Sequence, residues 1–129
     1  MRIAIPSEDN RALEGFVGEH FGRSPYYVLV DIEGGKIVNV KLVESGFAQH
    51  VPGEIPNFLK SLGVNLVIAR GMGTRAKEFF KRLGIQVITG AHGRIKEVVE
   101  AYLKGELKSS LYEPKEKFRE RSTDGTPYP

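Results

Sequence analysis

The chain has 129 residues, 40% of them hydrophobic and 27% charged, with a formal net charge of +3. That is enough for one domain with a single core, in the range of ordinary globular proteins, and the charge excess is too small by itself to imply nucleic-acid binding. Cysteine is absent, which excludes disulfides, thiolate zinc sites and Cys-ligated iron–sulfur clusters.

The opening MRIAIPSED is too polar for a signal peptide, and no apolar run approaches the ~20 residues of a membrane span. A cytoplasmic protein with no membrane partner is the expectation. Lys- and Glu-rich segments without Cys or Trp suit a thermophile.

RIAIP (2–6) reads as a short strand ended by Pro6, followed by a long polar connection over residues 7–25. YYVLVDI (26–32) and KIVNVKLV (36–43) are β-rich runs joined by Glu33-Gly34-Gly35, a hairpin signal. The rhythm then changes. Ile55, Phe58, Leu59 and Leu62 share one helical face, and Gly63 stops that helix. VNLVIA (64–69) is a continuous apolar run, the mark of a strand buried on both faces. Ala76, Phe79, Phe80 and Leu83 repeat the helical spacing before Gly84, and IQVIT (85–89) reads as another buried strand. Ile95, Val98, Val99, Tyr102 and Leu103 form a third helix ending at Gly105. The expected domain is residues 1–107. Residues 108–129 are a polar, Pro-bearing tail expected to add no core and to be partly disordered.

The order β, β, β, α, β, α, β, α predicts an antiparallel meander followed by crossover units, in one mixed five-stranded sheet. Helices on both faces give a three-layer α/β/α arrangement resembling the ribonuclease H-like fold. The first, third, fourth and fifth strands then point the same way. Their C-terminal ends share the edge where open α/β sheets bind ligands. The loops on that edge are 7–25, 44–53, 70–75 and 90–94, and the only three histidines, His20, His50 and His92, fall in three of them.

Imidazole ligates first-row metals without a thiolate beside it, but spacings of 30 and 42 residues match no local metal motif. A loop histidine also serves as a solvated or capping residue. RGMGTRA (70–76) follows a strand and opens a helix, where backbone N–H groups can meet an anion, with Arg70 and Arg75 beside it. The Gly71-x-Gly73-x-x-Ala76 spacing touches the dinucleotide fingerprint, but the next strand ends in Thr89-Gly90 without the acidic residue that holds a ribose. The alternative to a ligand site is a tight turn that uses glycine for its backbone freedom. Gly90 and Gly93 flank His92 in a similar setting at the next helix start.

Catalytic patterns are missing. There is no G-x-S-x-G elbow and no Cys nucleophile. The first strand carries no carboxylate, Glu8 and Asp9 only follow it, and Arg70 ends the fourth strand where a two-metal nuclease needs an acid. A non-enzymatic protein is expected.

Taken together, RIAIPSEDN, EHFGRSPYYVLVDIEGG, the run from His50 to Gly90 and EVVEAYLKGEL resemble the dinitrogenase iron–molybdenum cofactor biosynthesis family. This is the family of small NifX-like proteins and of the C-terminal domain of NifB-type proteins. The resemblance spans about residues 2–107, and its specific pieces are H-F-G at 20–22 and G-M-G-x-R-A at 71–76. It implies a metallocluster carrier or assembly accessory. The cargo would be the iron–molybdenum cofactor or an iron–sulfur precursor, exchanged with a donor or acceptor protein. Carried onto this chain, it places His20, Phe21 and Gly22 at the site, then His50 ahead of the first helix. The turn of Arg70, Gly71, Met72, Gly73 and Arg75 would receive the anionic cluster, and His20 and His50 are the candidate metal ligands. His92 has no family counterpart and rests on its position. The competing reading is a non-catalytic module for a small anionic or nucleotide ligand at the same Gly71–Ala76 turn, with the histidines incidental.

Overall fold

The computed structural model of the protein describes residues 1–46 and 53–107. Among these, five strands and three α-helices follow in chain order: β1 (Arg2–Ser7), β2 (Tyr26–Glu33), β3 (Lys36–Glu44), α1 (Glu54–Ser61), β4 (Leu66–Ile68), α2 (Thr74–Arg82), β5 (Gln86–Ile88) and α3 (Ile95–Leu103). They form one sheet of order β3-β2-β1-β4-β5. β2 is antiparallel to both β1 and β3, while β4 is parallel to β1 and β5. Only β2 therefore runs against the others, and β1, β3, β4 and β5 end on a common edge.

The period-two alternation of the strands divides the core into two layers. Ile3, Ile5, Val28, Val30, Leu66 and Ile68 pack with Ile95, Val98 and Val99 of α3. Ala4, Tyr27, Leu29 and Val67 pack on the other face with Ile55 and Leu59 of α1 and Phe80 of α2. The sheet is thus a middle layer, with α3 on one side and α1 and α2 on the other. Gly63 and Gly84, at φ of 80° and 76°, end α1 and α2 in the left-handed conformation that only glycine adopts without cost.

Three details depart from the sequence reading. First, β1 runs through Pro6 to Ser7, with Pro6 opposite Tyr27. The Pro6 carbonyl points away from β2, where it accepts the Gly18 N–H at 2.8 Å. Its nitrogen faces the same way, so the missing N–H costs no ladder bond. Second, β5 is an edge strand, with Gln86 exposed and Val87 and Ile88 half-buried. An apolar run alone does not distinguish an edge strand flanked by helices from a central one. Third, the connection after β1, read only as long and polar, carries structure of its own. It contains 3-10 turns at Ala12–Glu14 and Phe21–Arg23, and it bridges to Ser7 and to Arg94.

Candidate functional site

The common edge collects the connections that follow β1, β3, β4 and β5. The backbones of those after β1, β4 and β5 are tied to one another. The Ala91 N–H donates to the Ala69 carbonyl at 3.1 Å and the Gly90 N–H to the Arg70 carbonyl at 2.9 Å, joining the connections after β4 and β5. The Val17 N–H donates to the Gly93 carbonyl and the Ile95 N–H to the Gly15 carbonyl, each at 2.9 Å, adding the long connection after β1. Three loops far apart in sequence thus share one hydrogen-bonded frame.

The long connection crosses over the end of the sheet. Val17 packs in the α3 layer, whereas Phe21 packs in the α1–α2 layer. Gly18, Glu19 and His20 span the crossing, close to the end of β1 through the Gly18–Pro6 bond. Phe21 anchors the far side. It is only 4% exposed, stands edge to face with Tyr27 and Phe80 at ring distances of 5.5 and 5.4 Å, and its carbonyl accepts the buried Tyr27 hydroxyl at 2.6 Å. Burial pushes the Tyr27 phenol above its ordinary range, so it stays a neutral donor. A Cβ at Gly18 would collide with Ser24 Oγ, which explains the glycine.

His20 is exposed at the head of the second 3-10 turn. Its carbonyl accepts from the Arg23 N–H at 3.1 Å and from Ser24 Oγ at 3.0 Å, which fixes the backbone, but its side chain makes no capping bond. His92 is likewise exposed, between Gly90 and Gly93, and α3 is capped by neither it nor the Arg94 side chain. The capping role open to a loop histidine is filled by neither.

α2 begins bare. Its N-cap is Gly73, at φ −68° and ψ 158°, and its first turn holds no acidic residue. The leading N–H groups, with the positive end of the helix dipole, face the edge beside exposed Arg75 and half-buried Arg70. Neither Gly22 nor Gly73 has a positive φ, and a Cβ at either meets nothing within 4 Å. Backbone freedom therefore does not account for these two glycines, nor does packing among the described residues. A side chain at either would stand in open space among the described residues.

Over residues 1–105 the sequence matches the family described as "Dinitrogenase iron-molybdenum cofactor". The chain belongs to this family. An uncharacterized protein of Methanocaldococcus jannaschii is 32% identical over 110 residues, 83% of this chain and 89% of that protein. The crystal structure of PH0822 is 49% identical with a TM-score of 0.79, covering 85% of this chain and 96% of its own. The NMR structure of a Thermotoga protein with a provisional NifB name is 30% identical with a TM-score of 0.71, covering 90% and 98%.

On this dinitrogenase-cofactor domain, the connections along the edge carry His20, Gly22, Arg70, Gly71, Met72, Gly73, Arg75 and His92. Phe21 lies in the core beneath them, and Met72 is half-buried against the α1–α2 layer. His50 lies outside the described residues, as does the polar tail. Among the described residues, no three His, Asp or Glu side chains gather into a metal-holding group. No helix among them is long and apolar enough to cross a membrane. Sequence reasoning missed Glu54, in the first turn of α1, whose Oε1 is buried without a hydrogen-bond partner among the described residues. It also missed Tyr27 as the brace of the H-F-G segment. An aromatic hydroxyl leading into an aliphatic run such as VLV is a signal for such a bond.

Proposed function

We propose that this family member binds a preformed anionic metallocluster at the edge and passes it between a donor and an acceptor protein, without catalysing a reaction of its own. The cargo belongs to the class of the iron–molybdenum cofactor or its iron–sulfur precursor. The observation that carries this reading is the bare start of α2 behind Gly73, with open space where a side chain would stand. Helix N–H groups and Arg75 suit the negative outer atoms of a cluster. The exposed imidazoles of His20 and His92 suit a metal at its surface, and His50 belongs to the same candidate set.

Among the described residues, the donor set lacks the three gathered ligands that a resident single metal ion would need. It fits a body that arrives assembled and is held from outside. Such holding is weak, as transfer requires. The sheet order supports reading the fold as ribonuclease H-like, a kinship of architecture that brings no nuclease chemistry with it.

The test is anaerobic incubation with iron and sulfide or with isolated cofactor, followed by absorbance and iron content, on wild type and His20→Ala. Stoichiometric uptake by the wild type, reduced in His20→Ala, is expected. Uptake unchanged in His20→Ala would move the ligand role to His50 or His92. No uptake by the wild type would overturn the reading, and thermal stabilisation by a nucleotide would then point to a small-anion module.

A further inference from the structure

A second feature lies away from this edge, along the side of β5 that no described strand covers. A groove of about 550 Å³ runs there, lined by Lys77 and Lys81 of α2, by Gln86, Val87 and Ile88, and by Tyr102 of α3. In the parallel pairing of β5 with β4, the Gln86 N–H donates to the Asn65 carbonyl at 3.1 Å and the Ile88 carbonyl accepts the Ala69 N–H at 2.9 Å. Alternate residues bond in a parallel ladder, so Val87 directs its N–H and C=O outward into the groove. The two walls differ in chemistry. Val87 belongs to the α1–α2 layer, beside Lys77 and Lys81, and Ile88 and Tyr102 belong to the α3 layer.

We propose that this groove receives an extended acidic segment of a partner protein as a sixth strand, with acidic side chains on Lys77 and Lys81 and the alternate, apolar side chains on Ile88 and Tyr102. Strand addition supplies main-chain hydrogen bonds, and the alternating side chains supply selectivity. Charge selects this occupant over two others. Among the described residues, no acidic one lines the groove, and α2 carries Arg75, Lys77, Lys81 and Arg82 against Glu78 alone. A second copy pairing through β5 would bring two such basic helices alongside each other, a repulsive arrangement. The chain's own continuation over 108–129 sets Lys108, Lys115, Lys117, Arg119 and Arg121 against Glu113, Glu116, Glu120 and Asp124, so it offers no acidic excess.

The probe is a labelled hexapeptide Glu-Val-Glu-Ile-Glu-Val, with Glu-Glu-Glu-Val-Ile-Val as a control of equal charge, titrated by fluorescence anisotropy onto the full-length protein. Amide exchange at Val87 is followed by NMR. We expect the alternating peptide to bind more tightly than the control and to slow exchange at Val87. In the Lys77→Glu/Lys81→Glu variant its Kd should rise about tenfold. Equal binding of both peptides, or undiminished binding by a folded variant, overturns the proposal. So does slow Val87 exchange without peptide, which assigns the edge to residues 108–129 if independent of protein concentration and to a second copy if dependent on it. Failure here leaves the cluster reading intact, since no residue of the groove belongs to the candidate site.

Discussion

The Tyr27 hydroxyl reaches from the core to the Phe21 carbonyl at 2.6 Å, so one buried hydrogen bond holds the backbone immediately after His20. Tyr27→Phe keeps the ring and deletes the donor, leaving a buried carbonyl without its partner. Such a loss costs about 1–3 kcal/mol. The expected result is a melting temperature lower by several degrees, together with weaker cluster uptake, although Tyr27 lies beneath the edge. Thermal unfolding and an uptake titration on the same sample check this. Unchanged melting with unchanged uptake would show that Phe21 is held by its ring contacts alone.

At the opposite end of β1, Arg2 grips Asp31 through two bonds of 2.7 and 3.1 Å and also donates to the Leu62 carbonyl at 2.6 Å. The Arg2 hydrogen bond, with help from Asn39, holds the Asp31 carboxyl below its ordinary value of 3.8 despite some desolvation. A lowered folded-state pKa means that the pair stabilises fully above the unfolded value and is lost as pH falls through the folded one. Stability should therefore decline below about pH 4, by about 1 kcal/mol or less because both side chains are partly exposed. Denaturant unfolding from pH 7 to pH 2.5 measures it. Asp31→Asn should be less stable at pH 7 and should show a shallower acid decline. Parallel acid limbs for the two proteins would exclude this pair as the cause.

Much of the fold was legible because periodicity reports burial directly. Ile55 and Leu59 face the core as their spacing requires, and VNLVIA contains a strand buried throughout. IQVIT reads as a buried strand yet forms an edge, because its apolar content is the same at an edge as at a centre. The half-exposure of Val87 and Ile88 follows from which strand has a neighbour. At the candidate site, His20 and His92 were legible as loop residues sharing one edge, once the strand directions were known. The crossing of residues 18–20 over the sheet was not, because it depends on Val17 and Phe21 entering opposite core layers. Similarly, the bare space at Gly22 and Gly73 is a property of surroundings that a glycine in a sequence does not reveal.

His20 and His92 stand on loops joined through the Val17–Gly93 hydrogen bond, so they should act on one bound body rather than on two. His20→Ala and His92→Ala are each expected to leave melting within about 0.5 kcal/mol of wild type, as exposed substitutions do. Each should weaken cluster uptake, and the double variant should lose less than the sum of the singles. A full double-mutant cycle read by iron content supplies the coupling. Strict additivity would place the two imidazoles on separate ligands or leave one of them idle.

Gly73 separates a structural role from a functional one by the sign of two effects. Its φ of −68° and ψ of 158° suit any N-cap residue, and α2 has no side-chain cap. Gly73→Ser should therefore supply a hydroxyl to the leading N–H groups and raise stability by a few tenths of a kcal/mol. The same hydroxyl occupies the space over those N–H groups and competes for them, so cluster uptake should fall severalfold. A glycine kept only for the turn would yield stabilisation with uptake unchanged. Stabilisation with loss of uptake would mark the bare helix start as the place where the cargo sits, at the expense of the helix's own stability.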